Sequence, residues 1–387
     1  MRYALLLAFA LWRVPESNAQ PRSLDSVLRR TLASIVVSQA LPGATAAVSI
    51  DGHVISVAAG MADRDRQIAM TPAHRMLVGS AGKPFFAFVA LSLAADGKLD
   101  LDAPISRWLG SEPWFNRLPS SRQLTMRHLL SHRGGIANHA GDSSFAALVR
   151  DATPQRRSRG FSVLEQISLV LDRPAPFAVG DGFLYSDTGY LLAGLVLERV
   201  AGRTYYEEVQ SRVLTPFHLD QTSPADHADL AGLPQGYIVA PVPPAAAIGF
   251  ARWGLPDKMV ADGRLVLNPV YEWTGGGFVS TSADLARWME TLFEGATSRT
   301  IGKTMVATQP PNAPYGLGIF VREAADGAIY SHPGGFPGYR TEVAYSTELG
   351  VGVAFQANHS APGGASVIPA LLDAVRTAIA AEKPKRK

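Results

Sequence analysis

The chain contains no cysteine. That excludes disulfides, thiolate catalysis, a lipid anchor carried on cysteine and any zinc site built from thiolates. Beyond the first residues, no apolar run is long enough to cross a bilayer. Internal repeats, heptads and long polar tracts are also missing, and with 18% charged residues the composition is that of a folded chain. Nor is there a real excess of one charge sign. The formal charge is +3 and the pI about 9.1, but Arg2, Lys383, Lys385, Arg386 and Lys387 lie at the two ends. Subtracting those five from +3 leaves the body at −2, so no basic surface remains for nucleic acid.

What is present is 387 residues, 47% of them apolar, enough for one large domain or for two that share a cleft. Met1-Arg2 is followed by the apolar run Tyr3 to Trp12 and by Ser17-Asn18-Ala19, with small residues where a signal peptidase reads. The expectation is a signal peptide over 1–19 and export to a bacterial periplasm or the exterior, with no stable membrane anchor after cleavage. Residues 20–380 are then the folded domain, and 381–387 a solvated basic tail.

Ser23 followed by Leu24, Val27, Leu28, Leu32, Ile35 and Val36 predicts a capped amphipathic helix. Thr45 to Val57 reads as two β-type runs about Asp51-Gly52, a hairpin signal. The segment from Ser80 to Ala95 is apolar on nearly every side, which places that helix in the interior. Residues from about 97 to 270 read as a helical lobe with long loops. Its helices are expected near Thr125–Ser131, Ser162–Leu171, Leu191–Val200 and Tyr205–Leu214, and 229–255 as loop. β-type segments return at Ile319–Arg322, Ala328–Ser331, Thr341–Tyr345 and Val351–Ala357, before a last amphipathic helix through Val367, Leu371, Leu372, Val375 and Ile379. The fold class is therefore α+β: an antiparallel sheet built from both ends of the chain, flanked by N- and C-terminal helices, with an inserted helical lobe. The cleft between sheet and lobe is the natural place for a site.

Three short elements could carry chemistry. Ser80-Ala81-Gly82-Lys83 opens the buried helix, and residues three apart share a helix face, so hydroxyl and amine can meet. Pro84 suits a first helical turn, and free backbone N–H groups there favour developing negative charge. An N-cap serine with a surface lysine is the plain alternative, but an interior helix does not carry an amine without partners. A phosphate loop fails because Pro84 replaces Ser or Thr and Leu77 the first glycine. A nucleophile elbow fails because Val78 takes the leading glycine position. Next, Tyr185-Ser186-Asp187 follows a Pro- and Gly-rich approach. It reads either as a turn capped by Asp187 or as a tyrosine beside a lysine, where the ammonium favours phenolate and makes a general base. Last, His332-Pro333-Gly334-Gly335 stands at a strand start, either as a plain turn or as glycines that let a ligand approach an edge strand.

In this order and spacing the three elements resemble the serine β-lactamase and penicillin-binding protein superfamily, and within it the branch of class C β-lactamases, D-alanyl-D-alanine carboxypeptidases, D-aminopeptidases and family VIII esterases. Further stretches resemble the same family: DGKLDLDAPISRWLG (96–110), LTMRHLLSHRGGI (124–136), FLYSDTGYLLAGLVLERVAGRTY (183–205), GGGFVSTSADLARWM (276–289) and YGLGIFV (315–321). The resemblance spans roughly residues 25–380. It implies an acyl-enzyme on Ser80, Lys83 as activator, and Tyr185 as base for attack and acid for the leaving group. His332 takes the place of the family's third-motif lysine or histidine, the amides of Ser80 and Gly335 hold the oxyanion, Gly334 and Asp187 lie at the substrate, and no metal or cofactor takes part.

Two departures matter. Asp187 stands where the family usually has asparagine; an ionised carboxylate only accepts hydrogen bonds, so it should pair with Lys83 and repel a substrate carbonyl. His-Pro-Gly replaces Lys-Thr-Gly, which makes recognition of a substrate carboxylate weaker or pH-dependent. His128 and His132 are spaced to share a helix face, as a zinc pair would need, but no third ligand is suggested nearby, so no metal is expected. The expected function is an exported serine hydrolase acting on a small-molecule or peptide-like substrate, an ester or an amide. The alternatives are a catalytically weak relative that binds cell-wall peptides, and a true class C-like β-lactamase.

Overall fold

A computed structural model describes residues 23–238, 249–308, 310, 313–360 and 365–382. The expected signal peptide, its cleavage point and the tail residues 383–387 lie outside the described residues, as do 239–248 of the expected loop.

The chain opens with α1 (Leu24–Ser38), which buries Val27, Leu28, Leu32 and Ile35; Ser23 holds the N-cap position without a side-chain cap bond. The hairpin β1 (Gly43–Ile50) and β2 (His53–Asp63) turns through Asp51 at φ +50° and Gly52 at φ +76°, the two positive values that a two-residue hairpin needs. A two-residue strand, β3 (Ile68–Ala69), follows. After the lobe come β4 (Phe320–Ala324), β5 (Gly327–Phe336), β6 (Tyr339–Ser346) and β7 (Val351–Ala357). The order across the sheet is β3-β2-β1-β7-β6-β5-β4, antiparallel throughout. The first hairpin thus pairs with the last strand, with Ala46 opposite Phe355 and Val48 opposite Val353. This is the α+β sheet built from both termini.

Helix α2 (Lys83–Ala95) is buried at every position from Lys83 to Leu93, with Pro84 in its first turn. It lies in the largest core, among Phe278, Trp288, Tyr190 and Tyr205, and each large side chain fully removed from water there contributes about 1.5–3 kcal/mol. The lobe includes α3 (Met126–Leu130) and α4 (Asp187–Ala201). Helix α5 (Ser282–Glu294) lies on the α2 side of the sheet, so close that a Cβ on Gly352 would stand 2.1 Å from the Ala286 carbonyl oxygen. On the opposite face α1 and α6 (Ile368–Glu382) set Leu28, Leu32, Leu371 and Val375 against Val48, Val353 and Phe355.

Several boundaries differ from the sequence expectation. The helix expected at Leu191 begins at Asp187 because Ser186, not Asp187, is the cap, its hydroxyl accepting from Gly189 N–H at 3.3 Å. The Ser162 helix ends at Ser168, and the second half of Tyr205–Leu214 winds as a π-turn. Strand β5 does not stop at Ser331 but runs on through His332 and Pro333 to Phe336. Pairing with β4 reaches only Phe320 opposite Ser331. Past that point β5 is an edge, where proline's missing N–H costs no ladder bond.

Candidate active site

Ser80 sits in a 3₁₀ turn, Gly79–Gly82, that runs directly into α2. Backbone presses on this turn from two sides. Gly79 has φ +51°, and a Cβ there would stand 2.5 Å from the Gly335 oxygen and 2.7 Å from its nitrogen. A Cβ on Gly276 would stand 1.9 Å from the Gly79 oxygen. No side chain fits at either place, and the close approach brings β5 beside Ser80.

One turn on, the Lys83 ammonium donates to Ser80 Oγ at 2.9 Å, Asp187 Oδ1 at 2.6 Å and the Gly275 carbonyl at 2.8 Å. Its side chain is fully buried, whereas that of Asp187 keeps 22% exposure toward solvent. An ammonium has three hydrogens, and these three acceptors take all of them. The rings of Tyr185 and Tyr190 lie 4.9 and 5.1 Å from Nζ. Burial pushes the Asp187 carboxyl up, but Lys83, by charge and hydrogen bond, outweighs that and holds it below the ordinary range. The ion pair foreseen from Asp187 is therefore formed.

The segment after α3 frames this arrangement. Asp187 N–H donates to Asn138 Oδ1 at 3.1 Å, Ser186 N–H to His132 Nδ1 at 3.1 Å, and the Ser186 hydroxyl to the Ala137 carbonyl at 3.1 Å. His132 does not share a helix face with His128: it lies past the end of α3 at φ +58°. Its ring lies tilted by 37° against Tyr185 with centroids 4.1 Å apart, and burial and Lys83 keep it well below its usual pKa.

Tyr185 departs from the expectation of a phenolate. Its hydroxyl is buried, with no partner of good hydrogen-bond geometry among the described residues. Burial and the Asp187 charge push the phenol well above its ordinary range, with Ser80 the opposing influence. The physical reason is burial first, and then the negative charge of Asp187, which opposes phenolate. Tyr185 is a neutral phenol beside Ser80.

His332 departs as well. Nδ1 meets the Pro333 carbonyl at 2.7 Å, so that nitrogen carries the proton, and Nε2 accepts from the Tyr315 hydroxyl at 2.9 Å. Burial, then the Lys83 charge, lowers its pKa to about 3. It is a neutral ring with both nitrogens engaged, unable to switch charge near neutral pH. Gly334 lines the Ser80 cavity and is also closely packed: a Cβ there would stand 1.9 Å from the Val78 oxygen and 2.7 Å from the Ala81 nitrogen. Pro333 turns its backbone to the free edge, where its carbonyl meets His332 Nδ1. Backbone orientation alternates along a strand, so Gly335, two residues on, faces the same edge, with its nitrogen and oxygen against the Ser80 turn. A cavity of about 390 Å³ opens over Ser80, lined also by Tyr185, Phe250, Phe320, Gly335 and Tyr339.

One group has no signal in the sequence. Glu272 lies on the turn that delivers Gly275 to Lys83, and its carbonyl accepts the Gly275 N–H at 2.6 Å. Burial, then repulsion from Asp187, raises its carboxyl to about 7, against the opposing influences of Lys83 and the Tyr271 hydroxyl. Asn138, Tyr190 and Tyr315 also escape the sequence reading, although Tyr315 opens the YGLGIFV stretch.

The family profile described as Beta-lactamase matches residues 26–376. Penicillin-binding protein 4* of Bacillus subtilis (strain 168) is 25% identical over 286 residues, 68% of this chain and 56% of that protein. This chain thus spans little more than half the length of that relative. Esterase EstB of Burkholderia gladioli is 28% identical over 304 residues, 70% of this chain and 71% of that protein. Among solved structures, a D-stereospecific amidohydrolase from Streptomyces sp. superposes with a TM-score of 0.72 at 24% identity, covering 94% of this chain and 99% of that one. That likeness shows a common fold.

Proposed function

Because the chain belongs to the Beta-lactamase family, within the serine β-lactamase and penicillin-binding protein superfamily, we propose that it is a serine hydrolase that cleaves neutral esters through an acyl-enzyme on Ser80. The observation that carries this is Ser80 Oγ bonded at 2.9 Å to a buried Lys83 beneath an open cavity. Ser80 Oγ attacks the ester carbonyl, and the oxygen gains negative charge between the N–H groups of Ser80 and Gly335. Lys83, charged and held by Asp187, stabilises the developing alkoxide without accepting its proton. The proton passes to the Tyr185 oxygen while Tyr185's own proton goes to the departing ester oxygen, so the phenol stays neutral. The carbonyl–oxygen bond breaks, the alcohol leaves, and water reverses the sequence to free Ser80.

Charge favours neutral substrates. Lys83 has no donor to spare, His332 is neutral, and Arg340, the one basic residue among the described lining of the cavity, is engaged by Glu342, Gln39 and the Ala365 carbonyl. Among the described residues that line this cavity a substrate carboxylate finds no unengaged cation, which weighs against β-lactams and peptide C-termini. Fluorophosphonate labelling with mass spectrometry, together with p-nitrophenyl acetate turnover, tests the proposal. A Ser80 adduct, and turnover lost in Ser80→Ala, is the expected result; no adduct and no turnover rejects it. Full occupancy of Lys83 favours a second reading, a catalytically weak binder of cell-wall peptides, for which muropeptide binding would be unchanged in Ser80→Ala. Export belongs to the proposal, and the mature protein should begin at Gln20.

A further inference from the structure

The two ends of the Ser80 cavity are unlike. Gly335 supplies the oxyanion amide, and the position a Cβ would take there is only 3.5 Å from Cε2 of Phe250. Phe250 is braced in turn by Trp253, with ring centroids 5.0 Å apart. The side of the cavity next to Gly335 is therefore closed by an aromatic wall. The other end is open. Phe320, His332, Pro333 and Arg340 line both the Ser80 cavity and a groove of about 560 Å³ that continues past the edge of β5, with Val321, Ile329 and Ile368 on its walls. The groove starts where β4 and β5 stop pairing, at Phe320 and Ser331, so the missing ladder is what joins the two spaces.

Tyr185 fixes which half of an ester enters which end. It delivers a proton to the leaving oxygen, and its ring lies parallel to Phe320 at 6.4 Å and 6.1 Å from the His332 ring. The leaving group therefore departs toward Phe320 and Pro333, and the acyl group turns toward Phe250. The Arg340 guanidinium at the groove's rim is already bonded to Glu342 and Gln39, and Arg322 is a second cation on a lining otherwise dominated by Pro314, Val321, Ile329, Ile368 and Pro369.

Resting on the ester-hydrolase reading, we infer that the substrates are esters of a small acyl group with an extended apolar alcohol. Phe250 limits the acyl half, and the groove beyond Pro333 holds the alcohol. The experiment measures kcat/KM for two ester series on the full chain. One is p-nitrophenyl esters from acetyl to decanoyl, and the other is acetates of 4-alkylphenols with growing alkyl chains. Acyl lengthening beyond four carbons should lower kcat/KM at least tenfold. Alkyl lengthening on the phenol should raise it by about fourfold for each methylene buried. Phe250→Ala should remove the penalty on long acyl chains. In Val321→Trp and, separately, Ile329→Thr, the ratio of kcat/KM for 4-butylphenyl acetate to that for phenyl acetate should collapse toward one. An acyl profile that climbs like the phenol profile, or ratios unchanged in both groove variants, overturns the inference while leaving the hydrolase reading intact. No turnover of any ester in either series defeats the hydrolase reading, and this inference with it.

Discussion

Replacing Glu272 with glutamine removes a carboxyl that the fold holds neutral to about pH 7, mainly through burial and then through the nearby Asp187 charge. The consequence for stability can be worked from linkage. Below about pH 4.5 the group is protonated in both folded and unfolded chains and makes no difference. As pH rises from 4.5 to 7 the unfolded chain releases this proton and the folded chain keeps it, so the unfolded state binds fewer protons and the folded state loses ground. At about 1.4 kcal/mol for each unit, a rise from 4.5 to about 7 amounts to about 3 kcal/mol, all of it lost by slightly above pH 7. The buried histidines act the other way. His132, His139 and His332 have depressed folded values, so the stability they give is present above about pH 6.5 and is lost as pH falls. They are shared by wild type and Glu272→Gln, and the difference between the two proteins isolates Glu272. Urea unfolding at half-unit steps from pH 4.5 to 8.5 measures that difference. Wild type should lose about 3 kcal/mol relative to Glu272→Gln across the window. A difference constant within 0.5 kcal/mol, roughly the scatter of distant additive effects, would refute the reasoning.

Asp187→Asn restores an amide that can both accept from Lys83 and donate to a substrate carbonyl; relative kcat/KM for a D-amino-acid amide over p-nitrophenyl acetate should rise at least tenfold, and an unchanged ratio would mean that Asp187 does not set the preference. His332 is neutral down to about pH 3, so it becomes charged only below the working range, and kcat/KM for a neutral ester should show no limb from it between pH 5 and 8. A limb near pH 6.5 that vanishes in His332→Gln would contradict this. Gly79→Ala sets a Cβ 2.5 Å from the Gly335 oxygen at φ +51°, while Gly97→Ala meets nothing within 4 Å at φ +72°. Backbone strain of about 1–3 kcal/mol is common to both, so only Gly79→Ala should also cut ester kcat/KM by tenfold or more. Turnover of a chromogenic cephalosporin should be negligible beside that of p-nitrophenyl acetate, because its carboxylate meets no unengaged cation among the described residues that line the cavity; comparable rates would favour a true β-lactamase.

Much of the fold was legible because its signals are local. Asp51-Gly52 between two β-type runs forces a hairpin, and an all-apolar segment after Pro84 can only be an interior helix. Ser80 and Lys83 meet because residues three apart on a helical turn must, and the single polar departure at Asp187 was enough to foresee an ion pair. The other boundaries depended on neighbours far along the chain. Strand β5 passes through Pro333 because β4 ends its pairing at Phe320, which neither segment announces by itself.

The sequence by itself determined that Ser80 and Lys83 meet, the class of sheet and the order of the site's elements, since each rests on spacing within a few residues. The tertiary structure decided the charge states of Tyr185, His332 and Glu272. Lys83 is held by acceptors 104 and 192 residues away in sequence. Tyr185 remains a phenol because burial, and then the Asp187 charge, oppose phenolate, His332 remains uncharged because burial strips its solvation, and Glu272 gains its proton from the same enclosure. Solvation and field depend on what surrounds a group in three dimensions, and that is fixed only when the lobe closes over the sheet.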